Sequence, residues 1–272
     1  MAMMFRQTDV ATGAAQISAR LGEWREEIAR RGGLAFQRRP DGARGPRLNW
    51  LLGELRTPVE HWQATRKARV HAPVAPPAAP DTVSRAVMLL PGFGTHPVRM
   101  KPLARALEAA GHRVCDWGLG FNFGPTEERF DRLCERVLAM ARKQGEPLVL
   151  VGWSLGGIFA REVARRHPEA VRMVITMGTP FSGDRRANNA WRAYQLIAGH
   201  SVDEPPIGQD MAVKPPVPTV ALWSARDGIV SPRSACGRKG ERDLAIAMRC
   251  THLGFAAHPD VADMVRRLVA AD

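Results

Sequence analysis

Tyrosine is almost missing from this 272-residue chain, with Tyr194 as its single instance. Cysteine is scarce too. Cys115, Cys134, Cys236 and Cys250 stand far apart and form no CxxC pair, which speaks against a zinc knuckle or a disulfide framework and for reduced structural thiols. No run is long and apolar enough to span a bilayer. The first 14 residues mix Arg6, Gln7, Thr8 and Asp9 with small side chains and lack the apolar core of a secretory signal, so the expected location is cytoplasmic. Acidic residues are in deficit: 27 Asp and Glu against 39 Lys and Arg give a net charge of +12. The arginines are nevertheless spread along the chain. No aromatic-interleaved basic motif, zinc finger or helix-turn-helix pattern accompanies them, so no nucleic-acid partner is expected. No internal repeat is visible.

The chain reads in three parts. Residues 1–69 hold two apolar stripes. Ile17, Leu21, Trp24 and Ile28 recur at helical spacing, and Gly32-Gly33 is expected to end that helix. After a Gly/Pro/Arg-rich connector, Leu48, Leu51, Leu52, Leu55, Val59 and Trp62 form the second stripe, which Pro58 should kink or split. Such a stripe ordinarily packs on a neighbouring domain. Flanking Arg44, Arg47, Arg56, Arg66, Lys67 and Arg69 also suit peripheral contact with an anionic membrane. Residues 70–80 form a Pro/Ala linker (HAPVAPPAAP), so residues 1–80 are read as a helical N-terminal extension with its linker.

From residue 81 to 272, short apolar runs alternate with amphipathic helices. Strands are expected at Ala86–Leu90, His112–Trp117, Leu148–Val151, Val171–Met177, Thr219–Trp223 and Leu244–Met248. Helices are expected at Lys101–Ala110, Thr126–Lys143, Leu155–Arg166 and Val261–Ala270. This alternation predicts an α/β fold, a mostly parallel sheet with helices on both faces. Residues 181–216, broken by four prolines, read as a short covering insert with one helix near Asn188–Ile197.

The chemistry concentrates at Gly152-Trp153-Ser154-Leu155-Gly156. A buried strand runs into Gly-x-Ser-x-Gly and a helix begins at once, the pattern of a nucleophile elbow. Glycines are needed because side chains there would strike neighbouring backbone. A serine hydroxyl is a weak nucleophile, so it requires a base, and the base an orienting carboxylate. In this arrangement the order along the chain is serine, acid, histidine. Asp227 lies just past a strand and is followed by Gly228; Asp203, Glu204 and Asp210 sit in the irregular insert, and Asp243 begins a strand. His252 follows the last strand directly, whereas His258 stands at the entry of the last helix. His96 and His112 precede the serine, and His167 closes a helix. The oxyanion donors are expected to be the backbone N–H of Leu155 and that of Phe93, in the turn Pro91-Gly92-Phe93-Gly94.

The segments LLPGFG, WGLGFNFGPT, LVGWSLGGIFAREVARRHP, ITMGTPFSG, WSARDGIV and THLGFAAHP resemble the α/β-hydrolase superfamily, and within it small bacterial esterase- and lipase-like serine hydrolases. Pro91-Gly92 stands where the usual oxyanion-loop His-Gly would be. The resemblance implies the α/β-hydrolase fold, a Ser154–His252–Asp227 triad, an oxyanion turn at Phe93, and hydrolysis of an apolar small-molecule ester through an acyl-enzyme. Such chemistry requires no cofactor and no metal. A thioesterase or acyltransferase with the same triad is one alternative, in which Arg185 and Arg186 could meet a phosphate. A non-catalytic binding protein on the same fold is another. Epoxide hydrolases and haloalkane dehalogenases carry Asp at the elbow, and this chain carries Ser154.

Overall fold

The computed structural model describes residues 8–60, 66 and 83–271. Trp62, Lys67, Arg69 and the linker at 70–80 lie outside the described residues. Six strands form one sheet: β1 (Ala86–Leu90), β2 (Arg113–Asp116), β3 (Leu148–Trp153), β4 (Val171–Met177), β5 (Thr219–Ser224) and β6 (Leu244–Met248). Their order is β2-β1-β3-β4-β5-β6, and every pairing is parallel.

A strand covered on both faces must be apolar on both, and β1 and β3 are buried at every position. Alternate residues serve opposite layers. Val87, Leu89, Val149 and Val151 pack under helix α3 (Lys101–Ala109) and the closing helix α8 (Pro259–Ala270). Met88, Leu90, Leu148 and Leu150 pack under α4 (Glu127–Gln144) and α5 (Leu155–Arg166). The alternation slips once. The register of β4 shifts opposite Leu148 and Val149, so that Val171 and Val174 share one layer while Met173 and Ile175 share the other.

The ends of α4 follow local chemistry. Thr126 accepts a hydrogen bond from Arg129 N at 3.1 Å, and Gly145 takes the left-handed conformation (φ 69°) that closes the helix.

The covering insert carries α6 (Trp191–Ala198), and a short helix α7 (Pro232–Cys236), not anticipated from sequence, follows β5. Proline-rich coil has few ladder bonds of its own, and two arginines supply anchors. Arg161, buried in α5, donates to the carbonyls of Met211, Ala212, Val213 and Glu241 and stacks 4.2 Å from the Phe181 ring. Burial pulls its pKa down to about 10. Arg185 donates to the carbonyls of Val202, Asp203, Gly208 and Gln209.

The extension departs from expectation in two ways. Helix α1 (Thr8–Ala35) runs through Gly32-Gly33 instead of stopping there. Tertiary contacts override the local preference. Arg30 donates to Gly199 O and Arg31 to Ile197 O, and the Gln195 side chain donates to Leu34 O, which fastens the last turns of α1 to α6. The second stripe is inverted. In α2 (Leu48–Gly53) and the single 3-10 turn Glu54–Arg56, Leu48, Leu52 and Leu55 are exposed, as are Leu21, Trp24 and Ile28 in α1. The side chain that goes inward is Glu54, at 6% exposure. The path tightens to that 3-10 turn and returns to helix at Thr57, so that Pro58 sits in the first turn of the resumed helix.

Among the described residues no helix is long and apolar enough to cross a membrane.

Candidate active site

A parallel sheet whose strand order reverses leaves a crevice at the carboxyl ends of the two strands where it does so. Here those strands are β1 and β3. The helix after β1 lies on one face and the helix after β3 on the other, so the loops that follow them part. Ser154 sits at that point.

Ser154 has φ 54° and ψ −122°, the one non-glycine residue of positive φ among the described residues. The strain is held by close packing on all sides. A Cβ on Gly152 would fall on the Gly157 backbone, and one on Gly156 on Leu90 O. One on Gly157 would fall on the Thr179 hydroxyl, which itself donates to Ser154 O at 2.9 Å. Ser154 N donates to Met177 O at 2.8 Å, tying the elbow to the end of β4. A Cβ on Gly92 would lie 3.2 Å from Ser154 Cβ, so the Pro91–Gly94 turn is in contact with the serine. Buried Asn122 shapes that turn: its side-chain amide Nδ2 donates to Pro91 O at 2.8 Å, and its backbone carbonyl accepts from Gly94 N at 2.7 Å. Phe93 and Leu155 both border the same cleft as Ser154, and among the described residues no hydrogen bond takes up their N–H groups.

Asp227 and His252 are brought together from the loops after β5 and β6. Asp227 Oδ2 is 2.8 Å from His252 Nδ1, with exposures of 1% and 3%. Asp227 Oδ1 accepts from Ile229 N at 2.9 Å and Val230 N at 2.7 Å, so each carboxylate oxygen has its own partner. Trp153, next to the serine, donates from Nε1 to His252 O at 3.1 Å. Burial disfavours the imidazolium, but the charge and hydrogen bond of Asp227, with the charge of Glu54, outweigh it and raise the His252 pKa above its ordinary value.

The other candidates are placed elsewhere. Asp203 pairs with Arg186, and Asp243 with Lys214 and Thr219 N. His258 caps α8, accepting from Asp260 N, and His96 caps a 3-10 turn in the same way. His112 is buried and accepts from Arg85 N; His167 ends α5.

The cleft beside Ser154 measures about 740 Å³ out to its open mouth. Its wall is largely apolar, with Ile158, Trp191, Val202, Ile207 and Val230 among the lining residues. Tyr194, its pKa pushed up by burial, packs against Phe93 with ring centroids 5.2 Å apart and planes tilted by 57°. Arg185 also borders the cleft, yet its guanidinium is engaged by four backbone carbonyls. Arg186 is taken up by Asp203 and Gln37. Neither arginine is free to meet a phosphate. No group of three or more His, Cys, Asp or Glu side chains suited to a metal ion occurs among the described residues.

A family profile described as alpha/beta hydrolase fold matches residues 85–201. The structure is similar to that of a Bacillus licheniformis lipase, with a TM-score of 0.56 and 17% identity over 72% of this chain and 52% of that one. It is also similar to a 2-hydroxy-6-oxo-6-phenylhexa-2,4-dienoate hydrolase from Rhodococcus, with a TM-score of 0.50 and 15% identity over 71% and 92% of the two chains. The chain has the α/β-hydrolase fold. None of the curated proteins compared matches the sequence. Ser154, Asp227 and His252 lie just past the carboxyl ends of three strands of that one sheet, β3, β5 and β6.

Several contributors to the site escaped sequence reasoning. Gly178, at φ 58°, leaves room beside Asp227 Oδ2 and the Phe255 ring, and the Gly-Thr-Pro that follows β4 was its only local signal. Asn122 and Thr179 act through backbone carbonyls, which no side-chain motif records. Glu54 carried no signal at all.

Proposed function

We propose that the protein is a serine hydrolase that cleaves carboxylic esters with an apolar acyl or alcohol part. The observation that carries this reading is the buried Asp227–His252 pair, tied through His252 O to Trp153, the neighbour of a serine that is held at positive φ and borders a largely apolar cleft. Ser154 Oγ attacks the ester carbonyl while His252 Nε2 accepts its proton. Asp227 Oδ2 fixes the proton on Nδ1 and stabilises the imidazolium that forms. The N–H groups of Phe93 and Leu155 receive the negative charge on the carbonyl oxygen, the latter at the positive end of the α5 dipole. His252 then returns the proton to the leaving alcohol. Water, deprotonated by the same histidine, clears the acyl-enzyme and restores Ser154.

A panel of p-nitrophenyl esters of rising acyl length, run beside acyl-CoA, tests this. Turnover of the nitrophenyl esters with little on acyl-CoA is expected. Preference for acyl-CoA would replace the ester reading by a thioester one, and no turnover of either would remove it.

A further inference from the structure

Glu54 is a carboxylate in a place where sequence leads one to expect an apolar contact. It belongs to the N-terminal extension, yet it is buried, and both of its oxygens are aimed into the catalytic loops. Oε1 accepts hydrogen bonds from Gly228 N and His252 N, each at 2.8 Å. Oε2 accepts from Leu253 N at 2.9 Å. One carboxylate therefore bridges the residue after Asp227 to His252 itself, holding two loops that follow different strands. The neighbouring residues reinforce the bridge. Thr57 Oγ1 lies 2.9 Å from Thr251 Oγ1, and Glu60 Oε2 accepts from Thr251 N at 3.1 Å. A Cβ on Gly228 would strike Trp50 O, so the bare glycine is what lets the extension come this close. Burying a carboxylate is costly unless it is fully hydrogen-bonded, and an apolar residue would serve as well for mere packing. Three backbone donors converging on one anion are an arrangement that fixes position.

Resting on the triad proposed above, we infer that Glu54 is a positioning residue. It locks the Asp227 loop and the His252 loop into one unit, which makes the extension a working part of the active site. Among the described residues the charged groups facing His252 are Asp227, from the loop after β5, and Glu54. Of the other acidic groups nearby, Glu60 is hydrogen-bonded to Thr251 N, and Asp260 lies beside His258.

The test uses the full chain, p-nitrophenyl butyrate and the variants Glu54→Gln, Glu54→Asp, Glu27→Gln and Ser154→Ala. Glu54→Gln can present only one oxygen and no charge. Its kcat should fall about 10- to 100-fold, the scale on which small misplacements of catalytic groups act, with KM little changed. With the negative charge gone, the acid limb of its kcat/KM profile should move to lower pH. Glu54→Asp keeps the charge on a shorter arm, so kcat should fall while the acid limb stays. Glu27→Gln, which alters only ion pairs to Arg30 and Arg31 on α1, should behave as wild type. A folded Glu54→Gln with wild-type kcat and acid limb overturns the inference, as does a loss of kcat with the acid limb unmoved. Should Glu54→Gln not fold, Glu54→Asp decides: wild-type kcat there overturns it. Turnover that survives in Ser154→Ala would instead count against the triad reading, so the two failures are distinguishable.

Discussion

Replacing Asp227 by asparagine alters two hydrogen atoms' worth of volume, and the structure dictates how the new side chain must sit. Oδ1 faces two backbone donors, Ile229 N and Val230 N. An amide nitrogen turned toward them would oppose N–H to N–H, so the asparagine carbonyl must take that side. The NH₂ is left facing His252 Nδ1, where the carboxylate oxygen lay at 2.8 Å. A donor there forces Nδ1 to accept, and the ring proton moves to Nε2. His252 then presents the serine with a hydrogen where it needs a lone pair. The expected loss in kcat is about 10⁴-fold, or about 5 kcal/mol of barrier. The fold should be kept, since the polar partners of Oδ1 are retained. Steady-state turnover of p-nitrophenyl butyrate across pH 6–10 is the assay, with unfolding followed by circular dichroism. A wrong tautomer is not cured by deprotonating imidazolium, so the deficit should persist above the pH at which wild-type activity levels off. An Asp227→Asn enzyme within a few-fold of wild type would refute the reasoning, and so would one that recovers fully at high pH.

Three further outcomes are expected. In the proposed triad His252 acts in its neutral form, and its pKa is raised above the ordinary value of about 6.5, so wild-type kcat/KM should fall on the acid side through an ionisation above that value. A controlling ionisation below 6.5 would contradict the Asp227 and Glu54 contributions. His252→Ala should abolish turnover, whereas His258→Ala removes a helix cap and should cost about 1 kcal/mol in unfolding with turnover kept; the reverse pattern would move the base to His258. Gly156→Ala would drive a Cβ into Leu90 O and to 2.7 Å from Pro91 O, both backbone, so a loss of about 1–3 kcal/mol in a denaturant titration should accompany reduced kcat.

Much of the candidate site was legible because its residues are local or ordered along the chain. Ser154 announces itself through glycines that close packing demands, and Asp227 and His252 follow in chain order after recognisable strands. The strands themselves were legible because β1 and β3 are buried on both faces and leave unbroken apolar runs, and β4 is interrupted only by Arg172 and Thr176. Their spatial order was not, since nothing in a run such as Ala86–Leu90 says that its neighbours are β2 and β3. The extension misled for a physical reason. The stripe at Leu48, Leu52 and Leu55 is what amphipathicity rewards, yet the face that docks is decided by Glu54, whose partners are backbone N–H groups 174 to 199 residues away. Backbone donors carry no residue identity, so no pattern in the sequence could pair them with Glu54. Gly32-Gly33 likewise signals a helix end that the contacts of Arg30, Arg31 and Leu34 with α6 override.

The central claim is that Ser154 is a nucleophile activated by His252. Its most direct measurement is covalent labelling with a fluorophosphonate, read by mass spectrometry of the digested full-length protein. One phosphonyl adduct per chain is predicted, on the peptide containing Ser154, absent from Ser154→Ala and formed far more slowly in His252→Ala. An adduct on another residue, or undiminished labelling of Ser154→Ala, would contradict the account.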